Sequence, residues 1–135
     1  MSDYKDYISD DIDETFFTKY ANEYNYDEYV FILSIQNKKE EQIGILEDFI
    51  DDIMEQIPPE KDGWTAFALE YQVYARYMFA TEPWLIPNLK DTYEQFKGVA
   101  SSSFRFKETK EVLARLLDMM ERALKENGKL YIYYY

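Results

Sequence analysis

The sequence predicts a mainly α fold: one compact domain over residues 1–135 with about four to five helices. Its α+β variant adds a small sheet from residues 28–35 and 129–135. Three observations carry this expectation. Residues 37–57 and 109–126 each repeat apolar side chains at helical spacing. Residues 64–80 are rich in Ala, Leu, Glu, Gln, Arg and Met, which form helices well, and run long for a strand. Phe16, Phe17, Tyr20 and Tyr24 also recur at helical spacing.

Taken in order, residues 1–12 read as an acidic arm or as the start of the first helix, Asp13 to Tyr24, with Asn22 and Asn25 at its exit. Glu28 to Ile35 (EYVFILSI) fits a buried strand or a buried helical turn, which periodicity does not separate; its length and Val/Ile/Phe/Tyr content favour the strand. Asn37 opens the next helix as N-cap, with Glu40 three residues on. Ile43, Leu46, Phe49, Ile50, Ile53 and Ile57 mark its inner face, and Pro58-Pro59 stops it. Residues 58–63 (PPEKDG) form a turn. Trp64 to Leu89 holds both tryptophans and is the most apolar long window, the expected centre of the core. Within it Leu69 to Arg76 also alternate as a strand would, but helix is favoured for 64–80. Asn88 caps a short helix to Phe96 that ends near Gly98. Val112, Leu113, Leu116, Leu117, Met120 and Leu124 line a helix from Thr109 to Glu126, stopped by Asn127-Gly128. Residues 129–135 (KLYIYYY) read as a last strand able to pair with residues 28–35.

Composition narrows the function. Apolar residues make up 47% of the chain, too many for a disordered protein despite a net charge of −12. There is no Cys and no His, which removes disulfides, thiolate metal sites and the commonest general base. No metal and no cofactor is expected. Asp11, Asp13 and Thr15 have the spacing of calcium ligands, but Phe16 stands where the loop glycine belongs. There is no phosphate-cradling glycine loop and no Ser or Cys nucleophile motif, so the chain reads as non-enzymatic. No signal peptide and no membrane span are apparent, which predicts a cytoplasmic protein that does not engage membranes. The acidity argues against direct binding of nucleic acid.

The charge is lopsided. Residues 1–62 hold 18 acidic residues against five Lys, while residues 63–135 hold nine against ten basic ones. On a helix over residues 37–57, Glu40, Glu41, Glu47, Asp48, Asp51, Asp52 and Glu55 would share an arc of about 140°, one carboxylate per roughly 3.2 Å of axis. A DNA strand carries one phosphate per about 3.4 Å. Like charges at i, i+4 would cost this helix about 0.2–0.5 kcal/mol per pair. In residues 109–126, by contrast, Glu111/Arg115, Asp118/Arg122 and Glu121/Lys125 have the favoured opposite-charge order. Asp10, Asp11, Asp13 and Glu14 would extend the acidic surface, with Tyr24 and Tyr26 among the tyrosines that supply contact area.

These features point to an inhibitor that mimics nucleic acid and docks on a basic partner, such as a restriction or CRISPR nuclease. An immunity protein or antitoxin against a basic toxin makes the same demands, and a structural or oligomeric subunit is the third class. Two plainer explanations compete with all three: a solvated face that keeps the protein soluble, and internal pairing with the basic second half. If the face serves a partner, neutralising Asp48, Asp51, Asp52 and Glu55 to Asn or Gln should leave the fold intact or slightly stabilised and weaken partner binding.

Overall fold

The computed structural model describes residues 12–16, 28–74 and 83–134. Its framework is a five-stranded mixed sheet in the order β1-β3-β2-β5-β4. The strands are β1 Asp13–Phe16, β2 Glu28–Ile35, β3 Lys38–Leu46, β4 Trp84–Leu85 and β5 Lys129–Tyr134. The helices are α1 Glu47–Met54, α2 Ala66–Leu69, α3 Leu89–Gly98 and α4 Thr109–Lys125, with a π-helical segment Glu70–Tyr74 continuing α2. The mainly α expectation is therefore overturned, since the sheet is a substantial part of the fold.

The largest correction falls on residues 37–57. Gln36 and Asn37 both take positive φ, 54° and 62°. This is the geometry of a two-residue hairpin turn whose twist matches its strands. Asn37 therefore turns a hairpin and caps no helix. β2 and β3 pair antiparallel from Glu28↔Leu46 to Ile35↔Lys38, with a bulge between Leu33 and Ser34. Ile43 and Ile45 join the helix-side core, the period-2 spacing of a strand. Gly44 in mid-segment was the signal against a helix, where it would cost about 1 kcal/mol. Only from Glu47 does the chain wind into α1.

Residues 13–16 are likewise a strand, parallel to β3 with Asp13↔Ile43 and Phe16↔Ile45. The rest of the helix expected there lies outside the described residues. β5 pairs antiparallel with β2 from Tyr29↔Tyr134 to Ser34↔Lys129, which makes β2 the middle strand. All eight β2 residues are buried, so β2 takes the central place expected of the tryptophan-rich stretch. From that stretch Phe67, Ala68, Tyr71 and Ile86 reach the core, but Trp64 and Trp84 are only partly buried. The Phe67 ring lies 5.9 Å from Tyr71, 6.1 Å from Phe96 and 6.5 Å from Trp84.

The described helices supply most of their buried apolar residues to one cluster with Tyr29, Phe31, Leu33, Ile43, Ile45, Leu130 and Ile132 of the sheet, but Leu124, expected on the inner face of α4, is 39% exposed near the end of that helix. Alternation sends Val30, Ile32 and Tyr133 to the opposite face, where they form a second buried cluster with Ile12 and Tyr131 beside it. Glu28, Ser34 and Gln42 belong to the same face and are also buried. α4 ends as the sequence indicates. Asn127 takes a left-handed φ of 55° and the Gly128 N–H bonds back to the Ala123 carbonyl at 2.6 Å.

Candidate interaction surface

The hairpin breaks up the acidic face. Glu40 and Glu41 lie in β3, Glu47, Asp48, Asp51 and Asp52 in α1, and Glu55 just past it. Asp13 and Glu14 lie in β1. Asp10, Asp11, Tyr24 and Tyr26 lie outside the described residues. No single helix axis carries the seven carboxylates, so the match to a phosphate repeat has no counterpart in the fold.

Most of these carboxylates are held from within. Arg115 of α4 donates to Glu41 through Nε at 2.6 Å and to Asp13 Oδ2 at 3.0 Å. Arg122 reaches Glu41 Oε1 at 3.4 Å and Glu40 Oε1 at 3.6 Å. Arg105, in the loop before α4, pairs with Glu55 at 3.2 Å. The bulge in β3 helps, because it places Glu40 and Glu41 consecutively on the side that α4 covers. The arginines expected to neutralise their own helix thus reach across to the acidic half of the chain. For Arg122 an i, i+4 contact also exists, to Glu126 at 4.0 Å.

Asp52 is a structural carboxylate with 0% exposure. It accepts hydrogen bonds from the backbone N–H of Arg105 at 2.9 Å and of Phe106 at 3.0 Å, and from the Thr109 hydroxyl at 2.6 Å. Thr109 is the first residue of α4, so this anion sits where the helix dipole favours one. Glu47 is also buried and accepts from the Tyr29 hydroxyl at 3.2 Å. Asp51 accepts from the Tyr71 hydroxyl. Burial first, then Tyr29 and Asp51 beside it, hold the Tyr71 hydroxyl well above its ordinary range, so it stays a donor. Neutralising Asp52 would therefore not leave the fold intact, contrary to the sequence-based expectation.

A different set of carboxylates is open to a partner. A groove of about 350 Å³ runs between the segment after α1 and helix α3. Ile57, Pro58 and Val99 give it apolar walls, and Glu60, Asp91 and Glu94 stand around it as exposed side chains. Among the described residues, no Lys or Arg pairs with any of these three within 4.0 Å. Lys97, on the same helix, instead lies over the Tyr93 ring at 5.6 Å. Gln95 fixes the groove wall by donating to the Thr65 carbonyl at 2.7 Å and accepting from the Ala68 N–H at 3.4 Å. Gly98 keeps the mouth wide, with nothing within 4 Å of where a Cβ would stand.

Sequence reasoning missed this site. The available signal was weak: Asp91, Glu94, Gln95 and Gly98 share one side of α3 at i, i+3 and i+4 spacing, the pattern of many solvated faces. Nothing local shows that the residues after Pro58 would lie against them.

Among the described residues, no group of three or more Asp, Glu, His or Cys is arranged to hold a metal ion, and no helix is long and apolar enough to cross a membrane. No family model, curated protein or solved structure matches this chain.

Proposed function

We propose that this protein is a non-enzymatic acidic binding module that docks on a basic protein, of the kind whose surface handles nucleic acid, and blocks that surface. The observation that supports this most is the groove of Ile57, Pro58 and Val99 with three carboxylates around it that no cation among the described residues pairs with. Apolar walls with charged edges suit an Arg or Lys side chain, whose methylenes bury while its head stays among the acids. The net charge of −12 would steer such a partner from a distance. Nucleic-acid mimicry through a regular acidic helix is not part of the proposal, because among the described residues no helix carries the seven carboxylates.

The test is calorimetric titration with an Arg-rich peptide at low and high salt. The groove variant Glu60→Gln/Asp91→Asn/Glu94→Gln should lose at least about tenfold in affinity at low salt, equivalent to about 1.4 kcal/mol. The control Glu40→Gln/Glu55→Gln alters acids that are already paired and should bind nearly as well as wild type. Equal affinity for all three proteins would remove the groove from the proposal. Absence of binding by wild type at low salt would end it.

A further inference from the structure

Gly44 lies in β3 between two strands that each bring a glutamate to it. Asp13↔Ile43 in the parallel β1–β3 pair sets Glu14 beside Gly44. Val30↔Gly44 in the β2–β3 pair sets Glu28 diagonally across it. Asp13, Ile43, Ile45 and Tyr29 all face the helices, so alternation sends Glu14, Gly44 and Glu28 to the other face. The Glu28 carboxyl occupies the place a side chain at 44 would take, since a Cβ there would fall on its Oε2. A glycine in the intervening strand thus lets carboxyl groups from β1 and β2 meet above it.

Glu28 is 0% exposed, and neither of its oxygens has a hydrogen-bond donor. Two carboxylates are acceptors only, and an unpaired buried anion is costly. From β3, Gln42 and Gly44 bring no charge to this face, and from β5 Tyr133 brings a phenol; Lys39 and Lys129 register with Ser34 on the same face, at the far end of β2 from Glu28. Arg115 and Arg122 act on the opposite face, through Asp13 and Glu41. Among the described residues, then, no cation faces the pair.

We infer that Glu14 and Glu28 share one proton above Gly44, and that this proton fastens the edge strand β1 to the sheet. The proton turns one carboxyl into a donor to the other and removes the repulsion between them. Burial, and then Glu14 beside it, pushes Glu28 from 4.5 up to about 8. The sign follows. Between these values the folded chain holds a proton that the unfolded chain releases. The stabilisation is full below about 4.5 and is lost as pH rises through about 8. Asp13–Arg115 holds β1 from the other face throughout that range.

The experiment is a carbon-detected NMR titration of the glutamate carboxyls in the whole chain from acid to pH 10. Amide protection of residues 13–16, corrected for intrinsic exchange, is followed alongside. The expected result is a Glu28 midpoint near 8 and a fall in β1 protection of at least about tenfold across it, because each pKa unit lost on opening is a factor of ten. Glu28→Gln carries its own donor, so β1 protection should become independent of pH above about 5, where Asp13 is fully ionised, and Glu14→Gln should give the same result. Glu28 titrating near 4.5 would overturn the inference, as would an unchanged alkaline loss in Glu28→Gln. Millimolar Ca²⁺ or Mg²⁺ abolishing that loss would also overturn it, by placing a metal ion where the proton is assigned.

Discussion

Glu40, Glu41, Asp52 and Glu55 lie against Arg122, Arg115 and Arg105, whereas Glu60, Asp91 and Glu94 surround an open groove and pair with no Lys or Arg among the described residues. The two sets have the same chemistry and differ in what packs next to them. The first set joins β3 and α1 to α4 and the loop before it, so its charge is consumed in assembling the fold. The second set adds little to assembly and keeps its field available to solvent and partners. Acid density along the sequence was highest in the first set, so density alone was a poor guide to which carboxylates stay available. A carboxylate is available to a partner only when no guanidinium or backbone donor of its own chain reaches it.

The difference between the sets is testable as stability against binding. Asp52→Ala should have the largest effect. It strands two backbone N–H groups and a hydroxyl beside a buried site, and a loss of about 3–5 kcal/mol in urea unfolding is expected. Arg115→Ala follows at about 1–2 kcal/mol, because it leaves Asp13 without its cation and Glu41 with Arg122 alone, at a partly exposed site. Asp13 comes next. The Thr15 hydroxyl at 2.6 Å, its N–H at 3.0 Å and Arg115 hold this carboxyl below its ordinary value of 3.8. Its contribution is therefore present above about pH 4 and lost as pH falls through the lower folded value. Asp13→Asn should flatten that acid limb of a stability–pH curve and leave the alkaline limb alone. The groove variant Glu60→Gln/Asp91→Asn/Glu94→Gln should unfold within about 0.5 kcal/mol of wild type. For a basic partner, its association rate should also depend less steeply on ionic strength than that of wild type. A groove variant that unfolds as easily as Asp52→Ala would erase the distinction between the sets.

Parts of the fold could be read directly. EYVFILSI is a strand over the residues expected, helix α4 runs over Thr109–Lys125, and residues 129–134 form the strand that pairs with β2. For α4 one strong local pattern has one economical structure, whereas for EYVFILSI length and β-branched and aromatic content, not periodicity, favour the strand over a buried helical turn. Residues 38–54 misled because β3 flows into α1 at Leu46/Glu47 without a loop, so the alternation of Ile43 and Ile45 merges with the helical spacing of Phe49, Ile50 and Ile53. Asn37 adds to the ambiguity, since the same residue caps helices and turns hairpins. Glu28 gives no sign in sequence that it will be buried, and Gly44 no sign of what it makes room for.

The sequence by itself determined the chemistry on offer: no thiol, no imidazole, an excess of carboxylates in the first half, and the strand and helix that anchor the core. These are properties of composition and short-range periodicity. Only the tertiary structure decided which carboxylates are paired, buried or free. Arg115 meets Asp13 across 102 positions of sequence and Asp52 meets Thr109 across 57. Charge pairing depends on distances of a few ångströms, and those are set by sheet register and helix docking. Neighbours in the chain do not reveal them.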